Sequence, residues 1–543
     1  MLFNNIQYAL GLVKILYQAH FVWYMWCFVG LAIVFYYLSL KFNRQLRDIP
    51  GPFLAGFTGL WRLWDLSIGH SPYRGVELHN KYGKLVRVGP KHVSVGDPHE
   101  IATLYAVGND YEKTAFYPIW AIRYEKKPLL NLFAASDEDY HKRIKRPVAH
   151  VYSVATLAQL EYKIDYVSKL FVNRLREESV EKQCKVDLGE WLQWYAFDVI
   201  GNLTFSRTLG FLEQLRDVDN MISSIFSFMR YASIIGQMPT LHKFLAGNPL
   251  VLWLFPAIET DNPAVNFAVK CLKEAAMEPP DTRDDFLSRF HRIAQEGRTG
   301  GLDGGAFGPA DIVNHTSANV VAGSDTTAIA LRAAIHNIIT NPKVYLRLQQ
   351  EIDGMDASGK LSDPVTEAEA KRMPYLQAII KEALRIHPSV AMILERHVPP
   401  GGATICGKYL PAGTIVGIHP WVVARDKLVY GEDADTFRPE RWIEADKEKL
   451  KVMERTSLAF GAGTHVCIGK HISLMEMSKV LSQLFREFDI ELVGPRKDLT
   501  SLNLWFPAQT GLNCRLYNRV GCGENLSYLQ AAQGQKGIAE VAS

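Results

Sequence analysis

Apolar positions recur along this chain with a period near 3.6 over long stretches. That spacing predicts helices at about 155–180, 188–205, 311–340, 342–353, 366–387 and 468–488. β-like runs are short and lie near 85–96, 403–416 and 511–517, which predicts small peripheral sheets. One segment obeys neither pattern. Phe21 to Leu40 reads FVWYMWCFVGLAIVFYYLSL without a single charge, and at about 1.5 Å per residue it spans a hydrocarbon core of about 30 Å. A core helix rarely stays apolar on every face for so long, and a cleaved signal peptide has a shorter run ending in a small-x-small site. The expected class is therefore mainly α with small β-sheets (α+β), preceded by an N-terminal transmembrane helix.

Charge orients that helix. Lys41, Arg44 and Arg47 follow it and only Lys14 precedes it, so the positive-inside rule puts residues 1–20 in the lumen and everything after the span in the cytosol. Ile49-Pro50-Gly51-Pro52 predicts a stiff, non-helical hinge over 41–52. Residues 53–516 contain no repeat or long linker and read as one body. The glycine-rich stretch 297–309 reads as an exposed loop, and 517–543 as a polar, frayed tail. With 543 residues, 48% of them hydrophobic, and a net charge of +3, the chain has ample core and no concentrated basic patch of the kind nucleic-acid binding requires. Its seven cysteines include no C-x-x-C pair, which removes zinc and dithiol readings and fits reduced thiols in the cytosol.

One cysteine has an unusual setting. Phe460 to Gly469 reads F-G-A-G-T-H-V-C-I-G and runs into a helical pattern carrying Ile472, Met475, Leu481 and Leu484. Glycines on both sides of Cys467 let backbone approach something flat and bulky, and the free N–H groups of a helix start favour a thiolate. A lone cysteine is otherwise an inert core residue. Three further constellations bear on the choice. Glu382 and Arg385 share one helix face, either as a solvated pair or as part of a buried network. Ala322-Gly323-Ser324-Asp325-Thr326-Thr327 places glycine and β-branched residues inside a helix, where they weaken it by about 1 kcal/mol or less each. That cluster reads as a groove, a kink or a tight helix contact. The run His141 to Arg146 is strongly basic.

Together these segments resemble the cytochrome P-450 family. Phe460, Gly463, Cys467 and Gly469 match its F-x-x-G-x-x-x-C-x-G haem-ligand loop, with His465 at a propionate-binding position. Glu382 and Arg385 match E-x-x-R, and Phe437 to Trp442 matches the P-E-R segment that contributes Arg441. Residues 322–327 match A-G-x-D-T-T. The resemblance covers nearly the whole chain, and 197–205 and 398–414 look like the fungal pisatin demethylase-like group of secondary metabolism.

The resemblance implies haem b (iron protoporphyrin IX) with Cys467 as axial ligand, and a structural trio of Glu382, Arg385 and Arg441. Thr326 and Asp325 become the proton-delivering pair. Arg396 and Lys145 become propionate partners, although Lys145 and His141 stand where the family shows arginine and tryptophan, leaving that partner open between Lys145 and its neighbours. The implied activity is NADPH-dependent monooxygenation of a lipophilic small molecule (a terpenoid, polyketide or indole alkaloid) by dioxygen. NADPH-cytochrome reductase and cytochrome b5 are the implied electron donors, and the endoplasmic reticulum membrane is the implied location. A reductase-independent haem-thiolate isomerase or dehydratase could lack the acid–alcohol pair, and a non-catalytic haem sensor has no use for one. The helix before Ala322, Ala391–Leu394, Leu504–Pro507 and Tyr117–Trp120 are the expected pocket lining.

Overall fold

The computed structural model describes residues 2–42, 45–260, 262–277, 283–494 and 499–519. The expected tail falls largely outside these. Seven helices and four strands position the site. The helices are α1 (Leu2–Lys41), α2 (Glu138–Lys145), α3 (Leu188–Phe205), α4 (Met221–Ile235), α5 (Pro309–Thr340), α6 (Pro374–Ile386) and α7 (Lys470–Glu487). The strands β1 (Leu85–Arg87), β2 (His92–Val95), β3 (Arg396–His397) and β4 (Ile415–Ile418) form one sheet in the order β1-β2-β4-β3. β2 and β4 run parallel with Val95 opposite Ile418, and the other two pairings are antiparallel. Phe488–Leu492, Asn513–Asn518 and Val186–Asp187 make a second small sheet. The mainly helical class with peripheral sheets is as the hydrophobic pattern predicts.

The core helices form for identifiable reasons. α3 is buried along nearly its whole length, so it carries apolar residues on every face. The Asp187 side chain caps it by accepting from the backbone N–H groups of Gly189 and Glu190. α5 opens with Pro309 at its first turn, and Asp311 accepts from the N–H of Gly308 (2.8 Å) and of Leu302 (2.7 Å). It packs along α3 and touches α7, where Thr327 Oγ1 donates to Ser473 Oγ at 3.1 Å. The single helix expected at 366–387 is two, Glu367–Ala370 and α6. Pro374 lacks the N–H that continuity would need and starts a new helix instead.

α1 is longer than the apolar segment that predicts it, and its portion His20–Lys41 is long and apolar enough to cross a membrane. The segment expected as a hinge is stitched to the sheet. Arg87 Nη2 donates to Leu40 O at 2.6 Å, its Nη1 donates to Lys41 O at 2.9 Å, and its backbone N–H donates to Pro50 O at 2.7 Å. The Lys41 ammonium lies over the rings of Phe53 and Phe57. The orphan carbonyls at the end of α1 thus find their partners in the body of the protein.

Candidate functional site

Between α5 and α7 lies a cavity of about 910 Å³. Cys467 borders it, on the turn that leads into α7. Its backbone N–H donates to Phe460 O at 2.8 Å, which closes the loop, and the residue is exposed where it lines the cavity. Burial raises the thiol, while the N–H groups of Gly469 and Lys470 pull against that by stabilising the thiolate. Phe460 also lines the cavity, with the Lys470 ammonium over its ring. Gly463 is obligatory. Its φ is +62°, and a Cβ there would stand 1.7 Å from Tyr105 O.

The trio links α6 to the segment before Trp442. Glu382, Arg385 and Arg441 are all buried, so the solvated-pair alternative falls. Arg385 Nε and Nη2 donate to the two carboxylate oxygens of Glu382 at 2.9 and 2.8 Å, and Arg441 Nε reaches Oε1 at 2.9 Å. Trp442 Nε1 and the backbone N–H of Arg438 complete the carboxylate's shell. Arg385 Nη1 donates to the carbonyls of Ala424 and Ala434, and Arg441 Nη1 to Asp433. Burial by itself would raise the Glu382 carboxyl, but the two guanidinium groups outweigh it and hold it below its usual range.

The α5 cluster divides. Ala322, Gly323 and Thr326 face the cavity, and Thr326 Oγ1 donates to Ala322 O at 2.8 Å. Gly323 also serves as a tight helix contact, because a Cβ on it would lie 3.0 Å from Ile200 Cγ1 of α3. Asp325 points the other way. Its Oδ1 accepts from Gln193 Nε2 of α3 at 2.5 Å, and Gln193 Oε1 accepts from Arg332 Nη2 at 2.9 Å. Burial raises its pKa to about 6, against the opposing pull of Gln193 and Arg332.

Lys113, Lys145, His141 and His465 border the cavity together with Cys467, whereas Arg396 does not reach its wall. Lys145 Nζ donates to Thr464 O at 2.7 Å. Arg396 is buried on β3, with Nη1 donating to Tyr117 Oη at 3.1 Å. The His465 ring hydrogen-bonds Glu138 rather than standing free, and its Nδ1 has no partner. His141 stands 4.2 Å from it, ring to ring, also with Nδ1 unpartnered. Lys113 joins them without belonging to any motif. It is buried where the chain bridges to Arg396, and donates to Leu132 O and Phe133 O. Nothing in its local sequence marks it. Burial and then Arg396 push its ammonium well down. Burial, then Lys113 and Arg396, depress His465, and the same influences hold His141 at about 3. Basic side chains held off their charged forms by burial and by one another, with two imidazole nitrogens unpartnered, fit a ligand that brings carboxylates, as a porphyrin does.

The expected lining is partly as found. Trp120, Leu394, Trp505 and Phe506 border the cavity, whereas Met392 and Ile393 border a separate small pocket and Tyr117 lies behind the wall.

A family model described as Cytochrome P450 matches residues 52–512. A cytochrome P450 monooxygenase of Aspergillus terreus is 39% identical over 473 residues, covering 85% of this chain and 94% of the relative. Cytochrome P450 monooxygenase cicH of Emericella nidulans is 37% identical over 91% of this chain and 98% of its own. Cytochrome P450 monooxygenase gsfF of Penicillium aethiopicum is 36% identical over 90% and 97%.

Proposed function

The chain belongs to the cytochrome P450 family, and on that premise we propose that Cys467 is the axial ligand of its haem in a step of fungal secondary metabolism. The protein is a haem-thiolate monooxygenase that draws electrons from a redox partner and uses dioxygen on a lipophilic substrate. The observation that carries the residue assignment is the meeting, in one cavity, of Cys467 with a cluster of buried basic side chains.

When bound, the haem supplies dioxygen activation, which a thiolate ligand directs toward O–O cleavage. The chain's own residues do the rest. Gly463 and Gly469 let the loop approach the porphyrin face. Lys113, Lys145, Arg396, His141 and His465 take the two propionates, His465 turning from Glu138 to do so. The Thr326 hydroxyl orients the water that delivers protons, and Asp325, half protonated at about pH 6, recharges it after leaving Gln193. Glu382, Arg385 and Arg441 hold the Cys467 loop and touch no substrate. The body is assigned to residues 53–516. The helix over His20–Lys41 supports a single-pass anchor in the endoplasmic reticulum, with the body cytosolic beside NADPH-cytochrome reductase and cytochrome b5.

Cys467→Ser tests the ligand. The reduced, CO-treated variant should lose the thiolate-type absorption while its circular dichroism is kept. A persisting thiolate spectrum would assign the ligand elsewhere. Redox-neutral turnover of the substrate without NADPH or dioxygen would favour the isomerase class.

A further inference from the structure

One part of the cavity wall carries a group of packed aromatic rings. Trp120 is its hub. Phe133 meets it edge-on at 5.6 Å and 86°, Phe228 of α4 at 6.0 Å and 83°, and Trp505 at 5.9 Å. Phe133 in turn meets Trp505 at 5.2 Å. These four rings come from four separate segments, and all four border the cavity. A second layer locks them. Phe116 lies 5.1 Å from Trp505 and Tyr117 5.2 Å from Phe133, both almost wholly buried and neither bordering the cavity. Rings wedged from behind cannot rotate freely, so their faces and edges are fixed before any ligand arrives.

The α5 stretch bounding the same cavity mixes small residues with Asn319, Val321 and Thr326. Ala318, Ala322 and Gly323 present little beyond backbone and methyl groups. A thick, puckered molecule would gain nothing special from fixed ring quadrupoles, since aliphatic side chains give it equal buried area. A flat aromatic one gains edge-to-face and offset contacts beyond area. Resting on the monooxygenase reading above, we propose that the substrate is a planar, fused or conjugated aromatic ring system, held through Trp120, Phe133, Phe228 and Trp505, and not a saturated polycycle.

The test uses the purified full-length holoenzyme and two probes of equal skeleton, 2-naphthol and trans-2-decalol. Binding is read by equilibrium dialysis and, independently, by the shift of the haem spin-state absorption. The wild type should bind the naphthol about tenfold more tightly, and Trp120→Leu and Phe133→Leu should each shrink that ratio to about twofold while the reduced CO spectrum stays intact. Equal affinities, tighter decalol binding or no saturable naphthol binding would overturn the proposal. So would a ratio that neither variant changes. A protein lacking the thiolate spectrum altogether would instead fail the reading beneath it, and dialysis would still report the aromatic preference.

Discussion

Two clusters of charged and basic side chains, one centred on Glu382 and one bordering the Cys467 cavity, are built on opposite terms. Around Glu382 each charged group is matched: one carboxylate takes both guanidinium groups, an indole N–H and a backbone N–H, and the remaining guanidinium N–H groups find carbonyls or Asp433. Around Lys113, Lys145, Arg396, His141 and His465 every group would take the same sign on protonation, burial and the neighbouring cations keep the two imidazoles neutral, and two ring nitrogens have no partner. Glu138 is the carboxylate that reaches them. A network completed by the chain itself is a structural device. One left in surplus of a single sign is completed by something else, and its cost in the empty protein measures how strongly it selects for an anion.

The contrast can be broken from either side. Glu382→Gln gives the largest expected effect, since it strands two buried guanidinium groups. A loss of about 3–5 kcal/mol should appear as a collapse of soluble yield and of the unfolding midpoint, with or without haem. Lys145→Gln and Lys113→Gln should separate the two states. Each keeps an amide donor and removes an amine whose charged form burial disfavours, so the haem-free protein should hold its stability to within about 1 kcal/mol. Haem loss to an excess acceptor protein should nevertheless accelerate about tenfold, the equivalent of one charge-assisted hydrogen bond. Equal losses in both states would make the basic cluster structural after all.

Asp325 lies between these extremes, with one close donor and a distant cation. Its pKa of about 6 lies above the unfolded carboxyl, so the folded state holds the proton more tightly. The resulting penalty is absent below about pH 3, grows as pH rises from 4 toward 6, and is complete above about pH 7. Asp325→Asn should therefore stabilise the protein by about 3 kcal/mol at pH 8 and leave it unchanged near pH 3. Melting curves across that range check the sign.

What could be read from the sequence follows the same division. The Cys467 loop, the Glu382–Arg385 spacing and the α3 and α5 patterns are local, so period and motif suffice to find them. Pro374 was a visible break in the 366–387 pattern, and the helix starts there. The basic cluster is assembled from a loop, a helix, a strand and the cysteine turn. Arg396, Lys145 and His465 could be placed through motif positions, whereas Lys113 sits in none and becomes a cavity residue only through its bridge to β3. The direction of Asp325 was equally hidden. Residues 325 and 326 are neighbours in the chain, but on a helix adjacent side chains diverge by about 100°, so one faces the cavity and the other faces Gln193.

The clasp of Arg87 on the carbonyls of Leu40 and Lys41 has a mechanical meaning for the membrane anchor proposed above. A body on a loose leash samples every attitude above a bilayer, whereas one gripped at the end of its rod inherits the rod's angle. Membranes of different thickness tilt such rods differently. Linear dichroism of the bound porphyrin in aligned thin and thick bilayers should therefore differ, and bilayer thickness becomes a lever on which way the cavity mouth faces.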